Sequence, residues 1–122
     1  MPIESVQPFE VRVERRDGAV VLEFAGELDL AVGEEAAAAL ADAGCDVPPL
    51  IVLNLQGLSF MDSTGLHCLE RAKAQADAVG TRLAILNGSG PAHKLLSLTR
   101  MDDVIEMVDD LTQLDPPGVS AA

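Results

Sequence analysis

The strongest constraint on the fold of this 122-residue chain is a run of six residues at 50–55, Leu-Ile-Val-Leu-Asn-Leu. Its apolar side chains are nearly continuous, with Asn54 as the one exception, rather than alternating, as in a strand that is buried on both faces. Pro48 and Pro49 precede the run and favour a break in the chain before it. We therefore predict a central strand with helices packed against its sheet, which places the chain in the α/β class.

The patterns on either side of this strand predict the rest of a small mixed sheet of four or five strands in a single domain. The other predicted strands are 9–13, 20–25, 82–86 and 104–107, and the predicted helices are 32–43, 63–79 and 91–99. The turn residues Asp17-Gly18 make the first two strands an antiparallel hairpin. The strand–helix–strand unit from 50 to 86 has the length of a right-handed parallel crossover. Residues 1–8 form an N-terminal segment, and 112–122 are predicted to be a disordered tail.

Composition and charge exclude several classes of function. The chain has 20 acidic and 8 basic residues, a formal net charge of −12, and its only aromatic residues are three Phe. Such a surface disfavours binding to nucleic acid or to anionic membranes, and it lacks platforms for base stacking. No apolar stretch approaches the ~20 residues that span a bilayer, and residues 1–5 do not resemble a signal peptide. Cys45 and Cys68 have no metal-ligand spacing and are expected to be reduced and structural. We predict a cytoplasmic protein without a cofactor.

The segment Asp62-Ser63-Thr64-Gly65 follows the central strand and begins the predicted second helix. Because a helix N-terminus favours negative charge, a hydroxyl group on Ser63 is a plausible phosphate carrier. Leu58, Phe60 and Met61 are expected to anchor a short loop that presents Asp62 and Ser63 rigidly, with Gly65 admitting another backbone. Helix logic alone leaves a simpler role open, in which Asp62 or Ser63 merely caps the helix.

Three stretches together resemble the STAS domain, and more narrowly the bacterial anti-sigma factor antagonists. They are Gly-Glu-Leu-Asp at 26–29, the strand at 51–55, and Leu-Ser-Phe-Met-Asp-Ser-Thr-Gly-Leu at 58–66. The resemblance covers residues 9–111, in the order and spacing of the whole domain. It implies the STAS fold for this chain.

The resemblance also implies a function. In that family the serine matching Ser63 is phosphorylated by an anti-sigma factor that is also a serine kinase of the GHKL type. The unphosphorylated antagonist binds this kinase and frees the sigma factor, and a metal-dependent serine phosphatase restores it. Thr64 keeps a hydroxyl where the family also uses serine, whereas His67 and Cys68 stand where small or apolar residues are more usual.

The predicted partner-binding surface combines the two turns with the start of the second helix. Its residues are Asp29, Asp62, Ser63, Thr64, Gly65, Leu66 and His67. Asp29 matches an acidic family position near the phosphorylation site, and it is equally suited to cap the helix that follows it. Asp62 is expected to accept backbone N–H bonds or to orient the incoming kinase.

Two other functions are compatible with parts of this sequence. The same domain could serve a different assembly, such as a stress-signalling scaffold or the cytoplasmic partner of a transport system. Asp62, Ser63 and His67 could instead form a nucleophilic set, since Ser63 and His67 are one helical turn apart. That enzyme reading is disfavoured because Met61 stands where a Gly-x-Ser-x-Gly motif requires glycine. Nucleotide binding at 88–90 is disfavoured because the P-loop lysine and its following hydroxyl are missing.

Overall fold

The computed structural model describes residues 8–16, 18–86, 91–110 and 114. Its strands are β1 (Glu10–Arg16), β2 (Ala19–Leu28), β3 (Leu50–Met61), β4 (Arg82–Leu86) and β5 (Glu106–Val108). Its helices are α1 (Gly33–Gly44), α2 (Ser63–Val79) and α3 (Pro91–Leu98), with short 3₁₀ turns at Leu30–Val32 and Met101–Asp103. The described residues form a mixed α/β domain, as predicted.

The five strands form one sheet in the order β1-β2-β3-β4-β5. β1 pairs antiparallel with β2, and the pairs from β2 to β5 are parallel. The predicted hairpin, the parallel crossover through α2 and the central position of the 50–55 run are therefore confirmed. Because parallel strands end at the same edge, the carboxyl ends of β2 and β3 lie side by side.

One face of the sheet packs against the three helices and forms the larger core. Ala36, Leu40 and Ala43 are the buried residues of α1, spaced by four and three as on one helical face. On α2, Leu69 and Ala76 are buried as predicted, but the prediction for Val79 is wrong, because its side chain is exposed. Val79 is the last residue of α2, and Gly80 ends the helix in a left-handed conformation.

The opposite face of the sheet buries a second apolar cluster. Its members are Ala19, Val21, Leu50, Val52, Ala84, Leu86, Val108 and Leu114. This cluster explains why the 50–55 run is apolar at every position except Asn54, since alternate residues enter different cores. Leu114 belongs to the segment predicted as a tail, yet its side chain is buried here. The rest of that tail, the 87–90 loop and Asp17 of the predicted turn lie outside the described residues.

The loop predicted between the central strand and α2 is wrong, because β3 continues to Met61 and β2 continues to Leu28. The two strands remain paired beyond 54, with two register shifts along β2. Glycines make this irregular pairing possible. A Cβ atom on Gly57 would lie 2.9 Å from the Phe24 carbonyl oxygen, and Gly26 has a φ of +90°. Only Asp62 separates strand from helix, so the turn is tighter than expected.

Two smaller differences from the prediction concern the start of β5 and the exposure of Phe60. β5 begins at Glu106, two residues later than predicted, because Val104 and Ile105 complete the preceding turn. Phe60, predicted as an apolar anchor, has a side chain that is 44% exposed on the outer part of β3, whereas Leu58 and Met61 are buried as expected. None of the helices in the described part of the chain is both long and apolar enough to cross a membrane.

Candidate functional site

Two turns lie next to each other at the carboxyl edge of the sheet. Leu28 and Met61 are paired as the last residues of β2 and β3. The next residue of each strand is an aspartate, Asp29 or Asp62. The Asp62 amide donates to the Leu28 carbonyl oxygen at 3.4 Å, which joins the two turns directly. The predicted proximity of Asp29 to the 62–65 segment is thus a consequence of parallel pairing.

Asp62 is the cap of α2. Its backbone is extended, and its carboxylate accepts a hydrogen bond from the Thr64 amide at 2.9 Å. The sequence allows either Asp62 or Ser63 to cap the helix, and this hydrogen bond shows that Asp62 is the cap. Ser63 is the first residue of α2 and is exposed, and its hydroxyl makes no hydrogen bond to any described residue. The serine is consequently free for chemistry with a partner.

The Asp29 turn uses the same bond in a different setting. Its carboxylate accepts from the Ala31 amide at 3.0 Å, but this caps a 3₁₀ turn at Leu30–Val32 rather than α1 itself. The predicted capping of α1 by Asp29 is therefore displaced by one short turn, and Val32 precedes α1 without a side-chain cap. Leu30, the first residue of this extra turn, is 83% exposed.

The first turns of α1 and α2 pack against each other closely. A Cβ atom on Gly33 would lie 2.7 Å from the Thr64 Cγ2 atom, so only glycine fits this contact comfortably. The Cys68 thiol also faces the Gly33 carbonyl oxygen at 3.7 Å. Thr64 is consequently half-buried between the helices, whereas its neighbour Ser63 points to solvent. Of these two adjacent hydroxyl groups, Ser63 carries the more accessible one.

Gly65 is buried beneath the turn rather than open to a partner. A Cβ atom there would overlap the Met61 side chain and lie 3.1 Å from the Leu28 Cδ2 atom. The expectation that Gly65 admits another backbone is therefore wrong: it admits the side chains of β2 and β3. Leu66 is half-buried against the larger core. Both residues position the start of α2 and offer a partner little surface.

A cleft of about 380 Å³ opens between the first turns of α1 and α2. Its walls include Leu30 and Glu34 on one side and Thr64, His67 and Arg71 on the other. It therefore combines an exposed apolar side chain with charges of both signs, directly beside Ser63. Such a mixture suits a protein surface that is bound through a few anchor residues.

Both cysteines have raised thiol pKa values. Burial raises the pKa of the Cys68 thiol, and nearby Arg71 opposes this only in part. The neighbouring Asp46 carboxylate raises the pKa of the Cys45 thiol. Since the thiolate is the reactive form, neither cysteine is activated as a nucleophile. Both are unpaired, as predicted.

The structure does not assemble the nucleophilic set weighed above. Ser63 and His67 share one side of α2, but no hydrogen bond joins their side chains in the described structure. The Asp62 carboxylate is directed to the Thr64 amide instead. What the site offers is an exposed hydroxyl at the positive end of a 17-residue helix, where added negative charge is stabilised.

Sequence reasoning missed four residues of this surface. Leu30, Gly33, Glu34 and Arg71 contribute to the cleft or to the contact that forms it. The available signal for Leu30 is its position, since it is an apolar residue directly after the capping aspartate. Gly33 and Thr64 are 31 positions apart in the sequence, and no local pattern predicts their contact.

Comparison with known proteins finds similarity to anti-sigma factor antagonists. An anti-sigma F factor antagonist of Paenibacillus polymyxa is 25% identical over 114 residues, which cover 87% of this chain and 95% of the relative. The structure of an anti-sigma factor antagonist from Mycobacterium paratuberculosis superposes with a TM-score of 0.81 at 22% identity, covering 87% of this chain and 90% of the other. The second likeness supports the fold.

The antagonist SpoIIAA is similar in two solved forms. The unphosphorylated form gives a TM-score of 0.70 at 26% identity, with 88% of this chain and 94% of the other covered. The phosphorylated Bacillus form gives 0.67 at 25% identity, with 87% and 97% covered. A family model described as the STAS domain matches residues 10–114. The resemblance noted in the sequence is thereby confirmed, and the chain belongs to the STAS domain family.

Proposed function

We propose that this protein is an anti-sigma factor antagonist that acts in the cytoplasm and is switched by phosphorylation of Ser63. In its unphosphorylated form it binds an anti-sigma factor serine kinase of the GHKL type, which releases the sigma factor. Phosphorylation ends this binding, and a serine phosphatase restores it. One observation carries the proposal: Asp62 makes the capping bond to Thr64, which leaves the Ser63 hydroxyl exposed and unbonded.

The position of Ser63 explains how phosphate could act on a partner and spare the fold. A phosphoryl group adds about −1.5 to −2 charge. At the first residue of α2 this charge meets the positive end of the helix dipole, so the folded state tolerates it. The docking surface already carries Asp29 and Glu34 beside the cleft. Phosphate makes this surface strongly negative and bulky, and the cost therefore falls on association.

The comparisons support the class of function in this proposal, an anti-sigma factor antagonist. The Paenibacillus polymyxa relative is an anti-sigma F factor antagonist, and it matches nearly its whole length. SpoIIAA, also an anti-sigma factor antagonist, exists in unphosphorylated and phosphorylated forms with this fold. A protein of the same architecture can therefore carry a phosphate, as the proposal requires of this chain.

Phosphorylation by the anti-sigma factor kinases of the source organism, with ATP, tests the site of modification. Peptide mass spectrometry is expected to place one phosphate on Ser63, with none in the Ser63→Ala variant. Thr64→Val is the matched control, because it removes the neighbouring half-buried hydroxyl and keeps its shape. We expect that variant to be phosphorylated like the wild type. Phosphate on Thr64, or none on the wild type, would contradict the proposal.

A further inference from the structure

β1 is an edge strand with an outer side that is open among the described residues. It lies first in the sheet order, and its partner is β2 on one side only. Six of its seven residues are exposed, including Val13, whose side chain is 49% exposed. The free N–H and C=O groups of such an edge are a template for pairing with another strand.

Four of the five charged residues of β1 lie on one face at alternating positions, and the fifth, Arg15, lies on the other. Val11 and Val13 pair with Phe24 and Leu22, so they lie on the helix-covered face. The alternate residues, Glu10, Arg12, Glu14 and Arg16, lie on the opposite face. The ion pair between Glu14 and Arg16, at 3.1 Å, agrees with this assignment.

The order of these charges is self-complementary. In an antiparallel pairing of two copies of β1 centred on Val13, Glu10 lies opposite Arg16 of the second copy and Arg12 lies opposite Glu14 of the second copy. Two-fold symmetry makes each pair occur twice, so all four charged positions of the face meet an opposite charge. Opposite-charge pairs across an antiparallel ladder are stabilising, whereas like charges directly opposite are destabilising.

Neighbouring registers lack this match. Centring the pairing on Arg12 would oppose Arg12 to itself and Glu10 to Glu14. Centring it on Glu14 would oppose Glu14 to itself and Arg12 to Arg16. Moving the centre by one residue in either direction therefore places like charges opposite one another across this face. The helices of both copies lie on the same side of the sheet in all three registers. Attraction in one register and repulsion in the next is the pattern that specifies a partner.

We propose that β1 is a homodimerisation edge, at which two copies of this chain pair antiparallel about Val13. The sheet then continues from one copy into the other, and Val13 packs against its counterpart. In this arrangement Glu14 is shared between Arg16 of its own strand and Arg12 of the second copy. The Ser63 surface lies at the carboxyl edge of β2 and β3 rather than along β1, so this inference does not depend on the proposed function.

A charge-reversal series, followed by sedimentation velocity over a range of protein concentrations, tests the pairing. Arg12→Glu places a carboxylate opposite Glu14 twice in each dimer and is expected to weaken dimerisation about tenfold or more. Adding Glu14→Arg to that variant restores opposite charges and is expected to restore the dimer. Lys94→Glu makes the same change of charge on the exposed side of α3 and serves as the control, with no expected effect. Added salt should weaken the wild-type dimer.

Cross-linking tests the register. In a Cys45→Ser background, which removes the exposed native thiol, Val13→Cys places two thiols directly opposite one another. Arg15→Cys is the matched control on the same face, since its two copies would lie about 13 Å apart along the strands. A short bis-maleimide should link Val13→Cys and spare Arg15→Cys. A wild type that is monomeric at every concentration, a charge-swapped variant that fails to recover, or equal cross-linking at both positions would overturn the proposal.

Discussion

The Asp29 and Asp62 turns contain the same type of capping hydrogen bond but expose different side chains. Each aspartate follows the end of a parallel strand, and each carboxylate accepts a bond from the amide two residues later, at 3.0 and 2.9 Å. After Asp62 the chain enters α2 at once, and its first residue is Ser63. After Asp29 it makes a three-residue 3₁₀ turn before α1 begins. The insertion of one short turn decides which type of side chain is exposed.

The difference separates two properties that a regulated surface needs. The Asp62 turn presents a hydroxyl group on the first turn of a long helix, where charge can be added at little cost to the fold. The Asp29 turn presents the apolar side chain of Leu30, which suits contact with a partner. Because Asp62 is bonded to Leu28, the two groups are held at a fixed spacing. The proposed phosphorylation site and the exposed apolar residue are thus neighbours on separate elements.

The largest expected effect concerns the packing beneath each turn. Gly65→Val forces a branched side chain into space held by Met61 and Leu28, and we expect a loss of about 2–3 kcal/mol in the free energy of unfolding. Gly33→Ala, beneath the Asp29 turn, meets one methyl group of Thr64 and should cost about 1 kcal/mol. Urea unfolding measures both. A Gly65→Val variant as stable as Gly33→Ala would show that the two turns are packed alike.

The caps themselves should differ by a smaller amount. Asp62→Ala removes the cap of the 17-residue α2 and is expected to cost about 1–2 kcal/mol. Asp29→Ala removes the cap of a three-residue turn and should cost about 0.5 kcal/mol. Thermal and urea unfolding of the two variants compare them directly. If Asp29→Ala were the more damaging variant, the 3₁₀ turn would matter more to the fold than this account allows.

Ser63→Ala should change stability by less than about 0.5 kcal/mol, because the serine makes no capping bond. The Asp62→Ala variant is the control, since the same measurement must register a lost cap one residue away. A cost for Ser63→Ala that equals the cost for Asp62→Ala would mean that the hydroxyl supports the helix. In that case Ser63 would have a structural role in α2, and the contrast between the two turns would not support a role for Ser63 in regulation.

The smallest expected effect concerns the ion pair between Arg82 and Glu106, which lies outside both turns. It makes the free energy of unfolding depend on pH in the acid range. The bond from Arg82 lowers the pKa of the Glu106 carboxyl, so this pair adds stability above the unfolded-state pKa and loses it as the pH falls through the lowered folded-state pKa. Both side chains are more than one third exposed, so the contribution is a few tenths of a kcal/mol. Glu106→Gln should therefore be slightly less stable than the wild type near neutral pH, and the difference should vanish in acid. A difference that grows in acid would contradict this sign.

The sequence predicts the parts of this molecule that depend on local pattern. The nearly continuous apolar run at 50–55 predicts a central strand, and the spacing to 82–86 predicts the parallel crossover, both as observed. The extension of β3 to Met61 could not be predicted in this way. Gly57 and Ser59 have the character of loop residues, and only the partner strand β2 keeps them in the sheet. Pairing between strands outweighs local propensity there.

The same limit applies to the site. Ser63 could be identified as a candidate because its motif is local and follows a buried strand. The assignment of the cap to Asp62 could not, because aspartate and serine are about equally good caps. Leu30, Glu34 and Arg71 form the cleft only when α1 and α2 lie side by side. That arrangement depends on the contact of Gly33 with Thr64, which joins distant parts of the chain.

The central claim is that phosphate on Ser63 spares the fold and prevents docking. Calorimetric titration of an anti-sigma factor kinase of the source organism with this chain, carrying either serine or biosynthetically incorporated phosphoserine at position 63, tests it most directly. The account predicts binding of the serine form, affinity lower by about tenfold or more for the phosphoserine form, and equal melting temperatures for the two. Equal affinities, or a loss of binding that accompanies a loss of stability, would contradict it.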